Sequence, residues 1–224
     1  METAHAPDLD DLRRRFLSAQ LAGRRDEGLR VILDEGLRHG VGVADLHLRV
    51  IQSAQQEIGR LWQENRCSVA QEHVATAISQ LALAHLYQHL PRAPRNGKRV
   101  LLACVEGELH ELGARIASDF LEMAGFDVQF VGANTPVESL VALTKLARPD
   151  LLALSISLTF NMPALRQTIA RTREEMGQDF PIAVGGPAIE FLSRAEAARE
   201  LDVPVLGGDA AELAASVRAV LGLS

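Results

Sequence analysis

The stretch "HLPRAPRNGK", residues 89–98, is where the chain changes its hydrophobic period, and that change limits the fold more than any other feature. Two prolines and an Asn-Gly pair continue neither a helix nor a central strand, so the segment marks a boundary. Before it, apolar residues recur at spacings of three and four. Val43, Leu46, Val50, Ile51, Ala54, Ile58, Leu61 and Trp62 make one stripe over 42–64. Val69, His73, Val74, Ala77, Ile78, Leu81 and Ala84 make another over 68–89, with Ser68 as its N-cap. Shorter helices over 9–21 and 25–38, separated near Gly23 and closed near His39-Gly40, complete a predicted four-helix bundle.

After the boundary, "RVLLACV", "DVQFVG", "LLALSIS", "PIAVGG" and "VPVLGG" are short apolar runs. Each precedes a helical pattern, near 111–124, 136–147, 162–175, 188–200 and 209–221. Strand and helix alternating in this way predict a five-stranded parallel, doubly wound sheet of the flavodoxin-like or Rossmann-like kind. The expected fold class is α/β, with a helical-bundle domain at 1–90, a linker at 91–98 and a Rossmann-like domain at 99–224.

Charge and cysteine content narrow the function classes. A net charge of -6 argues against a nucleic-acid surface. The clusters Arg13-Arg14-Arg15 and Arg24-Arg25 are interleaved with Asp8, Asp10, Asp11, Asp26 and Glu27, as on solvated helix faces. Cys67 and Cys104 make no disulfide framework. The N-terminus lacks the apolar stretch of a signal peptide, and no run approaches the length of a bilayer span. A cytoplasmic, reducing location is expected, with no membrane partner.

In a doubly wound sheet, ligands sit beyond the C-terminal ends of the strands. Glu108, His110, Ser155, Ser157, Gly185, Gly186, Gly207 and Gly208 all fall at or just after a predicted strand end. His110 is open to four readings: buried polar residue, metal ligand, catalytic base, or holder of a cofactor. A zinc site needs three or four ligands, and no histidine or cysteine follows residue 110. A single protein ligand suggests a macrocycle that supplies the remaining coordination. The Gly-x-Gly-x-x-Gly and Gly-Lys-Ser/Thr phosphate loops are absent. Glu106 and Glu108 offer acids to a phosphoacceptor site, but "LSISLTF" presents serines where an aspartate is needed. Ser155 and Ser157 have no histidine in their own half other than His110 to serve as a base.

Glu108-Leu109-His110-Glu111-Leu112-Gly113, Ser155-Ile156-Ser157-Leu158 and Gly185-Gly186 resemble the three-part signature of the cobalamin-binding domain family. The resemblance covers about residues 10–222, and the bundle is similar to the helical cap of the methionine synthase-like members. It implies that His110 is the lower axial ligand of cobalt, with Glu108 and Gly113 in the same loop. It also implies that Ser155, Ser157, Gly185, Gly186 and Gly207 line the path of the displaced nucleotide tail. Serine hydroxyls to bond a long buried ligand, and glycines to make room for it, agree with that.

"LWQENRCSVAQEH", residues 61–73, resembles a motif of the adenosylcobalamin-dependent photoreceptors. That resemblance implies that Trp62 packs over the adenosyl group and that Glu72 and His73 line the same upper pocket. Gln63 stands where a histidine that serves as upper ligand in the light state is found in those photoreceptors, so that ligand is not expected from this position. No DNA-binding domain is expected, so output passes through a homodimer or higher homo-oligomer, or through an effector protein. His85 and His89 are candidates for a second chromophore such as a bilin. The expected function is an adenosylcobalamin light sensor that changes conformation or association state, and not an enzyme. The alternatives are a corrinoid methyl carrier of a methyltransferase system and a cobalamin store or chaperone.

Overall fold

The computed structural model describes residues 7–191 and 194–223. The chain divides into two compact units, Met1–Pro91 and Arg92–Ser224.

In the first unit, helix α1 (Leu9–Leu21) starts on Asp8, whose carboxylate accepts the Asp10 N–H at 3.0 Å. Helix α2 (Arg25–Arg30) continues through wide turns at Val31–Gly36 and a tight turn at Leu37–His39. It stops at Gly40, whose φ of 85° is the left-handed conformation glycine adopts most easily. Helix α3 (Val43–Asp45) likewise runs through wide turns at Leu46–Gln52 into helix α4 (Ser53–Gln63). Helix α5 (Val69–Leu86) opens on a capping box. Ser68 Oγ accepts the Gln71 N–H at 3.2 Å while Gln71 Oε1 accepts the Ser68 N–H at 3.0 Å. The four predicted helical stretches and the Ser68 cap are therefore present.

Phe16, Ile32, Leu46, Ile51, Ile58, Leu83 and Leu86 are fully buried in this unit. The buried face of α5 differs from the predicted stripe. It consists of Ala75, Ile78, Ser79, Ala82, Leu83 and Leu86, while Val69, His73, Val74, Ala77 and Ala84 are exposed. Helix α5 carries apolar residues on several sides, so its period alone does not choose a face. Polar pins choose it instead. The buried Gln20 Nε2 donates to Ala75 O at 2.9 Å and to Ser79 Oγ at 2.8 Å, and Ser79 Oγ donates to Gln55 Oε1 at 3.1 Å. A buried amide left without these acceptors would cost about 1–3 kcal/mol, which fixes the rotation of α5 against α1 and α4.

The second unit is built as β1 (Arg99–Cys104), α6 (Leu112–Met123), β2 (Asp127–Gly132), α7 (Val137–Ala147), β3 (Leu151–Ser155), α8 (Met162–Met176) and β4 (Ile182–Gly185). Helices α9 (Pro187–Phe191), α10 (Arg194–Leu201) and α11 (Ala210–Val220) follow. The predicted single helix over 188–200 thus corresponds to α9 and α10, on either side of residues 192–193, which lie outside the described residues. The strands are parallel in the order β2-β1-β3-β4. Val100 pairs with both Val128 and Leu151, so β1 is central, and it is buried from Val100 to Cys104. From β1 the chain winds outward to β2, then back past β1 to β3 and β4. The switch in direction therefore opens at the C-terminal ends of β1 and β3.

Among the described residues the sheet has four strands, not the five predicted. "VPVLGG" contributes one isolated bridge, Val184 to Val205. Pro204 accepts the Val184 N–H at 3.0 Å but has no N–H to return, and Gly208, with φ 90°, turns the chain away. Residues 91–98, read as a linker, are held to the second unit from Ala93 onward. The Ala93 N–H donates to Met123 O and the Asn96 N–H to Gly125 O, both at 2.9 Å. Among the described residues no helix is long and apolar enough to cross a membrane.

Candidate cofactor site

The loop 105–111 leaves the end of the central strand and carries three glutamates that reach three different neighbours. Glu106 Oε2 accepts the Val137 N–H at 3.1 Å, at the start of α7. Glu111 Oε2 accepts the Ala133 N–H at 3.0 Å. Asn134 closes the same side, its Oδ1 accepting the Gly107 N–H and its N–H donating to Glu108 O, each at 2.8 Å. Glu106 is thus engaged as a clamp, which accounts for one of the two acids offered to a phosphoacceptor site.

Glu108 turns toward the other side and is completely buried. Its Oε2 accepts the Ser157 N–H at 2.8 Å, the Leu158 N–H at 3.1 Å and the Asn161 Nδ2–H at 3.0 Å. Its Oε1 accepts the His110 N–H at 2.9 Å and the His110 ring Nδ1–H at 2.6 Å. Burial alone pushes the Glu108 carboxyl upward. The His110 ring, the main-chain N–H groups and the Asn161 amide outweigh it and bring the carboxyl down to about 2. A charged carboxylate only accepts, so Nδ1 carries the ring proton and Nε2 is the nitrogen presented to a metal. The imidazole is 56% exposed although its carboxylate is not exposed at all.

Around this ring the two loops joined by Glu108 carry Leu109, Leu158 and Phe160 at the surface, Phe160 84% exposed. A Cβ added at Gly113 would meet nothing within 4 Å, so the start of α6 has open room beside it. The other glycines have a different reason. A Cβ at Gly185 would come 3.0 Å from Leu206 O, and one at Gly186, whose φ is 112°, would strike the Ile156 carbonyl. The neighbouring backbone therefore requires glycine at 186 and leaves little room for a side chain at 185. Gly207 follows the single bridge, and at its neighbour Gly208 a Cβ would strike the Glu212 carboxylate.

Ser155 ends β3 opposite Cys104. The Cys104 thiol is pushed up to about 12, by burial first and then by the Glu108 and Glu111 charges, so it is not a nucleophile at neutral pH. Ser157 reaches Glu108 through its main-chain N–H. In the first unit, Trp62 lies in the last turn of α4 and is 45% exposed. Glu72 Oε1 accepts Thr76 Oγ1–H at 2.7 Å, and Glu72 Oε2 lies 3.6 Å from His73 Nε2. Glu72 and His73 therefore stand side by side. His85 and His89 are exposed at the end of α5.

Sequence reasoning missed Asn134, Phe160 and Asn161, and gave no role to Leu109, Glu111 and Leu158, which it quoted only as parts of the signature. Nothing local in the sequence marks Asn161, which stands at the N-cap of α8 but whose side chain makes no cap hydrogen bond. Among the described residues no three His, Cys, Asp or Glu side chains gather as a metal site. One imidazole, oriented by a buried carboxylate beside apolar loops and open room, fits a corrin-held cobalt and not a zinc ion.

A doubly wound sheet with such a histidine at its switch point, preceded by a helical unit, defines the class of cobalamin-binding proteins. The chain belongs to the B12 binding domain family: residues 98–216 match that domain, and residues 12–87 match a second B12 binding domain family. It is similar to the HTH-type transcriptional repressor CarA of Myxococcus xanthus, at 33% identity over 80% of this chain and 59% of that protein. It is also similar to dimethylamine corrinoid protein 1 of Methanosarcina acetivorans, at 24% identity over 61% of this chain and 65% of that protein. The chain thus spans less than two thirds of either relative. Its fold is that of the monomethylamine corrinoid protein of Methanosarcina barkeri, with a TM-score of 0.81 and 18% identity, covering 95% of this chain and all of that one.

Proposed function

We propose that this chain binds adenosylcobalamin and acts as a light sensor, a cofactor-holding protein and not a catalyst in its own right. Cobalamin binding follows from the family. The observation that carries the sensor reading is the exposed Trp62, with Glu72 and His73 on the next helix, in a motif that resembles the adenosylcobalamin photoreceptors. An indole 45% exposed on a helical surface is a large apolar group ready to be covered by a flat ligand. The similarity to a transcriptional repressor over four fifths of this chain supports the same reading.

When bound, adenosylcobalamin supplies a cobalt–carbon bond that visible light cleaves. His110 Nε2 would hold the cobalt, with Glu108 keeping the Nδ1 proton. Trp62 would pack on an adenosyl group, and Glu72 and His73 would offer it an acceptor and a donor. Gly113 leaves room beside the lower ligand. Without that group Trp62 would be uncovered, and the readout would be the association state of identical subunits or the docking of an effector protein.

The test is the visible spectrum and the mass of the adenosylcobalamin-loaded protein, kept dark and then lit with green light. Prompt spectral conversion with a change in mass supports a sensor. Conversion with unchanged mass and shape rules out association as the readout.

A second reading, a corrinoid methyl carrier, is favoured by the similarity to dimethylamine corrinoid protein 1. A carrier exposes its upper ligand to a methyltransferase and has no use for an indole over it. Preferential binding of methylcobalamin, indifferent to Trp62→Ala, would select this reading.

A further inference from the structure

A threonine inside a helix commonly donates to the main-chain carbonyl one turn earlier. Thr144 and Thr168 do so, to Leu140 O and Ala164 O, each at 2.8 Å. Thr76 departs from this pattern. Its hydroxyl donates to Glu72 Oε1 at 2.7 Å, the carboxylate of the residue whose carbonyl would be the usual acceptor. Gln55 on the neighbouring helix α4 faces the same pair. Its Nε2 donates to Thr76 Oγ1 at 2.5 Å and to Glu72 Oε1 at 3.4 Å.

The direction of these bonds is set from inside the bundle. Ala75 O can only accept, so Gln20 presents its amide nitrogen there, at 2.9 Å, and to Ser79 Oγ at 2.8 Å. The single Ser79 hydroxyl proton then goes to Gln55 Oε1 at 3.1 Å. With its oxygen engaged on that side, Gln55 turns its NH2 group toward Thr76 and Glu72. Gln20 and Ser79 are completely buried, while the Glu72 side chain is 24% exposed. A run of donors that begins in the core thus ends on a carboxylate at the surface.

We propose that Gln55 is a positioning residue for Glu72, holding Oε1 inward so that Oε2 is the oxygen offered to a ligand. Oε2 receives none of the donors from the core and lies 3.6 Å from His73 Nε2. Gln55 and Trp62 stand seven positions apart on α4 and so share one helix face. A glutamate on a helix surface ordinarily samples several rotamers and loses that freedom on binding. Fixed in advance by Gln55 and Thr76, Glu72 meets a hydroxyl or amino group without that loss. A methyl group has no donor to give it, so the arrangement acts on selectivity between upper ligands. Gln20, Gln55, Thr76 and Ser79 all lie outside the 61–73 motif.

This deepens the reading of Trp62, Glu72 and His73 as the face that takes an adenosyl group, and the test separates the two. The first arm uses the cofactor-free full-length chain, labelled with 15N, and reads solvent exchange of the Gln55 side-chain amide protons by NMR. Coupling between two groups is reciprocal, so what Gln55 does for Glu72 is measured by what Glu72 does for Gln55. In Glu72→Ala that exchange is expected to speed up about tenfold, with circular dichroism showing the fold intact. The second arm measures the affinities for adenosylcobalamin and methylcobalamin in the dark. Their ratio is expected to fall about tenfold in Gln55→Met, and to fall no further when Gln55→Met is added to Glu72→Ala. A merely structural role for Gln55 would weaken both cobalamins alike and leave the ratio unmoved. If Gln55→Met does not fold, Thr76→Val answers with the same expected direction. Amide exchange unchanged in folded Glu72→Ala, or an unchanged affinity ratio in the folded variant, overturns the proposal. A wild type with no preference for adenosylcobalamin refutes the adenosyl reading of this face, and the exchange arm still decides Gln55.

Discussion

Replacing Glu108 by Gln keeps the size of a completely buried side chain and removes its charge. In the wild type the Glu108 carboxyl lies at about 2 against an ordinary 4.5. At ~1.4 kcal/mol per pKa unit, that difference is worth about 3 kcal/mol of folded-state stability, in order of magnitude. The sign follows from the direction. A carboxyl depressed in the folded protein contributes its full stability above about pH 4.5 and loses it as the pH falls toward 2. Glutamine has no proton to gain in that window. The variant of the cofactor-free protein should therefore be weaker than wild type by about 3 kcal/mol near neutral pH, and the gap should close as the pH drops through the window. The most direct reporters are the amide protons of Ser157, Leu158 and His110, all of which donate to this carboxylate. Native-state hydrogen exchange should show their protection reduced by about a hundredfold in Glu108→Gln at about pH 7, with little change at the far strand β4 if the opening is local. Protection within twofold of wild type, or a deficit that does not shrink toward pH 3, would refute the reasoning that the charge, and not merely the shape, of Glu108 holds the two loops together.

Gly186→Ala should cost at least about 3 kcal/mol in thermal or urea unfolding of the cofactor-free protein, because φ is 112° and the Ile156 carbonyl occupies the place of the new methyl. Gly113→Ala, by contrast, has open space in a helix and should raise stability by about 0.5–1 kcal/mol, while a titration with cobalamin shows weaker binding. Trp62→Ala should change the stability of the cofactor-free protein by less than about 1 kcal/mol, since the ring is 45% exposed, and should weaken adenosylcobalamin more than methylcobalamin in competition binding. Cys104 should resist iodoacetamide in the folded protein at mildly alkaline pH, its thiol being buried and pushed up to about 12, as mass spectrometry of alkylated peptides will show.

What the sequence disclosed, and what it hid, divides along the range of the interactions concerned. The helices of the second half were legible because each sits between apolar runs, and Ser68 was legible because a capping box is complete within four residues. His110 stood out through its place after β1. The wide turns at Val31–Gly36 and Leu46–Gln52 were not legible, since a slightly underwound helix keeps nearly the same apolar stripe. The rotation of α5 was set by Gln20, more than fifty positions earlier, and no local period carries that information. "VPVLGG" has the composition of a strand, yet Pro204 and Gly208 leave it a single bridge. At the site, Gly185 and Gly186 were read as positions that make room for a ligand; the structure adds that the main chain at Leu206 and Ile156 also approaches them closely. Asn161 was not legible because its partner, Glu108, stands 53 positions earlier in the chain.

The three donors to Glu108 Oε2 lie 49, 50 and 53 positions after it in the chain. During synthesis the histidine loop emerges first, with β2 as its earliest neighbour, and it stays unset until the chain through Asn161 has left the ribosome and β3 has docked. Any fragment that ends before that turn would contain the histidine, its carboxylate and the strand that bears them, but would lack the groups that keep the carboxylate charged and aimed. Competence to hold a metal-bound ligand would then appear late and all at once, when β3 closes the centre of the sheet, and a half-made protein would have little means of sequestering a scarce cofactor.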